Sequence, residues 1–126
     1  MVLFFGCILV IFWIFLEPKL PFHQDCRMVK LVENVDEIPM KGAVVVDFFA
    51  TWCGPCKNIA PHFEKLAQVY PSIVFLKVDV DESGELVDKY SIQAMPTFLF
   101  MKDGVIVKRI EGADLRAMEE GFSLLL

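Results

Sequence analysis

The pattern of apolar and polar positions divides the chain in two. From Met1 to Leu16 the run is unbroken and apolar, and from Glu17 onward polar residues interrupt it. Pro18 and Pro21, with Lys19, His23, Asp25 and Arg27 beside them, read as a linker. An ordinary globular pattern starts at Met28, which puts a boundary at about residue 27. Val29 to Val32 reads as a short strand. Glu33 to Met40 has room for a turn or two of helix, which Pro39 ends. Ala43 to Phe49 is a nearly continuous β-branched and aromatic run, as in a strand buried on both faces. Ile59, Phe63, Leu66, Ala67 and Tyr70 then recur at helical spacing, so a helix is predicted from Cys53 to Tyr70, with Pro61 kinking it. Ile73 to Val80 is a further strand and Glu85 to Tyr90 a short helix. Thr97–Met101 and Val105–Glu111 flank Lys102-Asp103-Gly104, a hairpin signal. Leu115, Met118, Phe122 and Leu125 form a closing helical stripe behind the N-cap candidate Asp114, and Gly121 should weaken that helix by roughly 1 kcal/mol relative to Ala. Strands alternating with helices, ending in a hairpin, predict a single α/β domain. Its central mixed sheet would be flanked by helices on both faces.

The first segment admits four readings. Its apolar length fits the core of a signal peptide, but it has no basic start and no small-x-small cleavage site. As a membrane anchor through residues 1–16 it is slightly short of the ~20 residues of a spanning helix. The positive charge that follows it would hold the globular part on the cytoplasmic side. The other two readings are a core helix, although the rest of the chain reads as complete without it, and a translated stretch ahead of a working start at Met28. Composition leaves these open.

At 126 residues, length allows one domain with a real core. The net charge of −5 argues against nucleic acid as a partner. The chemistry concentrates at Trp52-Cys53-Gly54-Pro55-Cys56-Lys57, where the predicted strand gives way to the predicted helix. Two thiols at this spacing suit a reversible disulfide or half of a zinc site. A zinc site needs a second close pair of ligands. Only His23 with Cys26 offers one, in a segment of different character, so no metal is expected. Cys7 and Cys26 have no partner pattern, and His62 reads as an exposed helix residue.

With these motifs in order, the chain resembles the thioredoxin family. Val44-Val45-Val46-Asp47-Phe48-Phe49-Ala50-Thr51-Trp52-Cys53-Gly54-Pro55-Cys56-Lys57 is similar to its active-site strand and loop, and Met95-Pro96-Thr97 to its cis-proline loop. Lys77-Val78-Asp79-Val80-Asp81, Lys102-Asp103-Gly104 and Glu111-Gly112-Ala113 fall where the family has similar segments. The likeness covers Met28 to Leu126. It departs in two places. The segment before Val44 is short, so the first helix should be stunted, and soluble members lack the apolar extension.

The resemblance implies a thioredoxin fold and a protein dithiol–disulfide oxidoreductase. That activity belongs to electron transport and cell redox homeostasis, in the cytoplasm, by a monomer without bound cofactor. Its implied partners are disulfide-containing client proteins and an NADPH-dependent flavoprotein, thioredoxin reductase. Cys53 would be the attacking thiolate, favoured by the backbone N–H groups of a helix N-terminus. Cys56, more buried, would resolve the mixed disulfide. Gly54 and Pro55 set the loop, and in this family Gly-Pro accompanies a reductant, whereas secretory oxidases and isomerases carry Gly-His. Asp47, a carboxylate in an apolar strand, would take a proton from Cys56; the alternative is a structural Asp bonded to backbone or to a Lys. Lys77 either biases Asp47 from the next strand or faces solvent. Pro96 is expected to be cis, exposing the backbone of Met95 to an extended client, against an ordinary trans proline opening a strand. Trp52, Ala94, Met95, Gly112 and Ala113 would surround Cys53 with a flat apolar surface, although Trp52 also suits plain packing. Two other functions stay open: a secretory-pathway oxidase or isomerase, and a thioredoxin-fold binding subunit without catalysis.

Overall fold

The computed structural model describes residues 29–126. Five strands, β1 (Val29–Leu31), β2 (Ala43–Phe49), β3 (Val74–Asp79), β4 (Thr97–Lys102) and β5 (Val105–Glu111), form one sheet in the order β1-β3-β2-β4-β5. β1 and β2 run parallel to β3, whereas β4 runs antiparallel to both β2 and β5. The helices are α1 (Gly54–Val69), α2 (Gly84–Lys89) and α3 (Leu115–Leu125). The predicted single α/β domain with a mixed sheet is therefore found.

Alternation along the strands divides the core into two layers. Val45, Phe75, Phe98, Phe100 and Ile110 face α1 and α3, meeting Ile59, Phe63, Met118, Phe122 and Leu125. Phe63 meets Phe75 edge-on with ring centroids 5.2 Å apart, and Phe122 meets Phe100 likewise at 5.1 Å. Val44, Val46, Phe48, Leu76, Val78 and Leu99 face the other way, onto Val32, Ile38, Leu86 and Ile92. β2 is central, which explains why its sequence is apolar on both sides.

Glu33 to Met40 forms one 3₁₀ turn, Val35–Glu37. Glu37 Oε1 accepts from the backbone N–H of Asn34 at 3.2 Å, and Pro39 follows, so the turn has no room to grow. The first helix is stunted, as its length suggests. α1 continues as one element with Pro61 inside it. In the hairpin, Asp103 (φ 50°) and Gly104 (φ 79°) both take positive φ, as a primed two-residue turn requires. Asp103 Oδ1 also accepts from the Gly42 N–H at 2.9 Å, which ties the turn to the start of β2.

Gly121 departs from expectation. A Cβ at this position would lie 2.7 Å from ring carbons of the fully buried Phe100. The missing side chain lets α3 sit close on β4, so the helix gains packing where propensity alone counts only a loss.

The possible attachment through residues 1–16, the boundary at about residue 27, and Cys7 and Cys26 all lie outside the described residues. Among the described residues, no helix is long and apolar enough to cross a membrane.

Candidate active site

β2 ends at Phe49, and Ala50-Thr51-Trp52 turns the chain into α1. Cys53 is the N-cap residue, with extended backbone, and its Sγ accepts from the Cys56 N–H at 3.3 Å. Gly54 and Pro55 occupy the first helical positions, where a proline removes an N–H that has no intrahelical partner. One helical turn separates the two thiols, and they form the Cys53–Cys56 disulfide with Cα atoms 5.3 Å apart. Cys56 is only marginally the more buried of the two, at 4% exposure against 6% for Cys53. Their asymmetry lies in position: Cys53 stands outside the helix and Cys56 within its first turn.

Met95–Pro96 is cis, and Met95 packs with Phe49 and Val80 against the cluster of Ala50, Cys53 and Cys56. The proline loop therefore lies against the disulfide. Pro96 O accepts from the Gly112 N–H at 2.8 Å, and Thr97 Oγ1 donates to Ala94 O at 2.6 Å. Gly112 has φ 100°, a conformation that favours glycine, and Ala113 beside it is exposed. Trp52 is 66% exposed, so it is no core residue. Its Nε1–H donates to Asp81 Oδ2 at 3.0 Å, which holds the indole beside the disulfide.

Asp47 lies in β2 on the side that faces α1, two residues before Phe49. It is 1% exposed, and neither carboxylate oxygen has a hydrogen-bond partner among the described residues. Burial pushes its pKa up to about 7, and the nearby charge of Lys77 restrains the rise. Lys77 is the register partner of Asp47 across the parallel β2–β3 ladder. Its Nζ lies 4.7 Å from the centre of the Phe49 ring. The reading in which Asp47 bonds to backbone or a lysine is not what the structure holds, and Lys77 is half-buried rather than a plain solvent-facing residue. A cleft of about 280 Å³, lined by Phe49, Ala50, Thr51, Cys56, Lys57, Ala60 and Lys77, opens beside the second thiol.

The structure thus brings together Cys53, Cys56, Gly54, Pro55, Met95 and Pro96, with Trp52 to one side and Gly112 bonded to the proline loop. Asp47 and Lys77 lie beneath, on the strands. His62 is exposed on α1, as read from sequence. Among the described residues, no three His, Cys, Asp or Glu side chains are grouped to hold a metal ion. Sequence reasoning overlooked Asp81 and Thr97. Asp81 falls within a quoted motif, but its partner Trp52 is 29 residues away, and nothing local indicates that contact.

The sequence model described as Thioredoxin matches residues 27–121. Mitochondrial thioredoxin-3 of Saccharomyces cerevisiae is 44% identical over 95 residues, which span 75% of this chain and 75% of the relative. Thioredoxin 1 of Plasmodium falciparum is 45% identical over 97 residues, 74% of this chain and 93% of the relative. Among solved structures, the oxidised form of the same yeast mitochondrial thioredoxin 3 superposes with a TM-score of 0.72 at 42% identity, covering 77% of this chain and 95% of that one.

Proposed function

The chain belongs to the thioredoxin family, an oxidoreductase of protein disulfides, and from that premise we propose how its residues divide the work. The Cys53 thiolate attacks one sulfur of a client disulfide. The client's S–S bond breaks, a mixed disulfide forms, and the other client sulfur leaves as a thiolate that takes a proton. Cys56 then attacks Cys53 Sγ, releasing the second client thiol and closing the Cys53–Cys56 bond. Two electrons and two protons pass to the client. Backbone N–H groups at the start of α1 favour the Cys53 thiolate, which must form before the attack. Asp47 takes the Cys56 proton; its pKa of about 7 lets it accept and return a proton near neutrality, and Lys77 tunes that balance.

Gly54 and Pro55 set the loop and tune the pair toward the role of a reductant. The client lies as a short extended segment along Met95 and Pro96, flanked by Trp52, Gly112 and Ala113. An NADPH-dependent flavoprotein reductase returns the disulfide to the dithiol, and the protein acts as a monomer in the cytoplasm. The observation that carries this reading is the Cys53–Cys56 disulfide at a helix N-terminus, packed against the cis-proline loop.

The test is reduction of insulin disulfides. Cys53→Ser should bring turnover to background, and Cys56→Ser should accumulate a mixed disulfide with the client. Retained turnover in Cys53→Ser would overturn the assignment.

A further inference from the structure

We propose that Arg109 is a positioning residue for client recognition, acting through the backbone of the loop that carries Met95 and Pro96. This rests on the client lying along that loop, as proposed above.

The loop connects α2 to β4. Four of its carbonyls are tied down by Thr97 of β4, Arg109 of β5 and Gly112 just after β5. Arg109 Nη1 donates to Tyr90 O and Nη2 to Ser91 O, both at 2.7 Å. Thr97 Oγ1 holds Ala94 O, and the Gly112 N–H holds Pro96 O. Among the described residues, the loop hydrogen bonds leave the N–H and C=O of Met95 unpaired. The loop is therefore pinned at Tyr90 and Ser91, at Ala94 and at Pro96, and Met95, between the last two anchors and packed against the disulfide, offers its donor and acceptor to an incoming strand.

Arg109 is the anchor at the start. It holds two consecutive carbonyls, which a planar guanidinium fork can do and a lysine ammonium does far less well. Ser91 needs such a hold, because its φ of 51° is left-handed in a residue other than glycine. The fork is oriented in turn by Glu111, whose Oε1 lies 3.3 Å from Arg109 Nε. Arg109 and Glu111 pair with Leu99 and Thr97 across the ladder, so the two are on one face of β5 and in register with the strand that follows the proline. β5 and the residue that follows it thus supply both ends of the clamp, through Arg109 and Gly112. Arg109 touches neither cysteine, so the chemistry of the thiols is independent of it.

The experiment compares a protein disulfide with a small aromatic disulfide, which needs no strand pairing. In Arg109→Met, KM for insulin should rise on the order of tenfold, inside the ~100-fold that an ångström of misplacement can cost. The rate with the small disulfide should stay within twofold of the unaltered protein. Arg109→Lys, which keeps the charge but not the fork, should fall between the two. If Arg109→Met does not fold, Arg109→Gln is judged by the same split. An unchanged KM for insulin overturns the proposal, as does an equal loss with both substrates, which would mark a purely structural arginine. Should the unaltered protein fail to reduce insulin at all, the functional reading fails rather than this one.

Discussion

Asp47 shows how one side chain couples stability to chemistry. A carboxyl with a pKa of about 7 in the folded chain, against 3.8 for an aspartate free in water, binds its proton more tightly folded than unfolded. Below pH ~4 both states carry the proton, and the fold suffers no penalty. Between there and pH 7 the unfolded chain releases its proton first, so stability falls as pH rises. Above pH 7 the loss is complete, on the order of 4 kcal/mol. Asp47→Asn removes the titration and leaves a buried amide without partners, which itself costs ~1–3 kcal/mol. The net expectation is a variant that gains stability relative to the parent steadily from pH 4 to pH 7, then holds that gain. Urea midpoints at half-unit pH intervals would show it, and a difference that does not vary with pH would refute the buried-carboxyl account. The same variant should resolve mixed disulfides more slowly near neutrality. The position was legible in the sequence because a carboxylate in an apolar strand has few reasons to be there. Its lack of partners was not, because it depends on side chains brought together by the sheet.

At the scale of elements, periodicity and turn chemistry read well where the signals are local. β2 is continuous because both its faces are covered, and the Asp103-Gly104 turn follows from the residue types that tolerate positive φ. What escaped is contact between elements distant in sequence. Gly121 reads from sequence as a helix-weakening residue, yet it is where α3 meets Phe100. Arg109 reads as one more charged residue of an edge strand, yet it holds two carbonyls of the proline loop. These two cases differ in sign from a propensity argument. Gly121→Ala should gain ~1 kcal/mol from helix propensity. Overpacking against the fully buried Phe100 ring should cost more, typically ~1–3 kcal/mol. We therefore expect no gain, and a net destabilisation of up to ~2 kcal/mol, measured by chemical denaturation. Pairing the change with Phe100→Leu should recover part of the loss. A stabilised single variant would mean that the helix shifts freely and that the close approach is incidental.

For the whole molecule, the question is whether residues 29–126 are sufficient. Both faces of the sheet are covered by helices and turns from within this range, and among the described residues the two core layers close around β2. The family match begins at residue 27, beside the start of that range. One place leaves room for another contribution. β1 is three residues long and stands at the edge of the sheet, and Leu31 on it is 55% exposed. A preceding segment that paired with this edge would add hydrogen bonds and cover Leu31; a short edge strand is also a common way for a sheet to end safely without a partner. On its inner side β1 is held by the described residues: Val29 packs against the α1-facing layer and Val32 donates its N–H to Lys77 O at 2.8 Å. A chain beginning at Met28 should then unfold within ~0.5 kcal/mol of the full chain, as for changes away from the core. It should also reduce insulin at the same rate. A loss of more than ~1 kcal/mol, or a fall in turnover, would place part of residues 1–27 on the β1 edge and make the domain larger than its sheet implies.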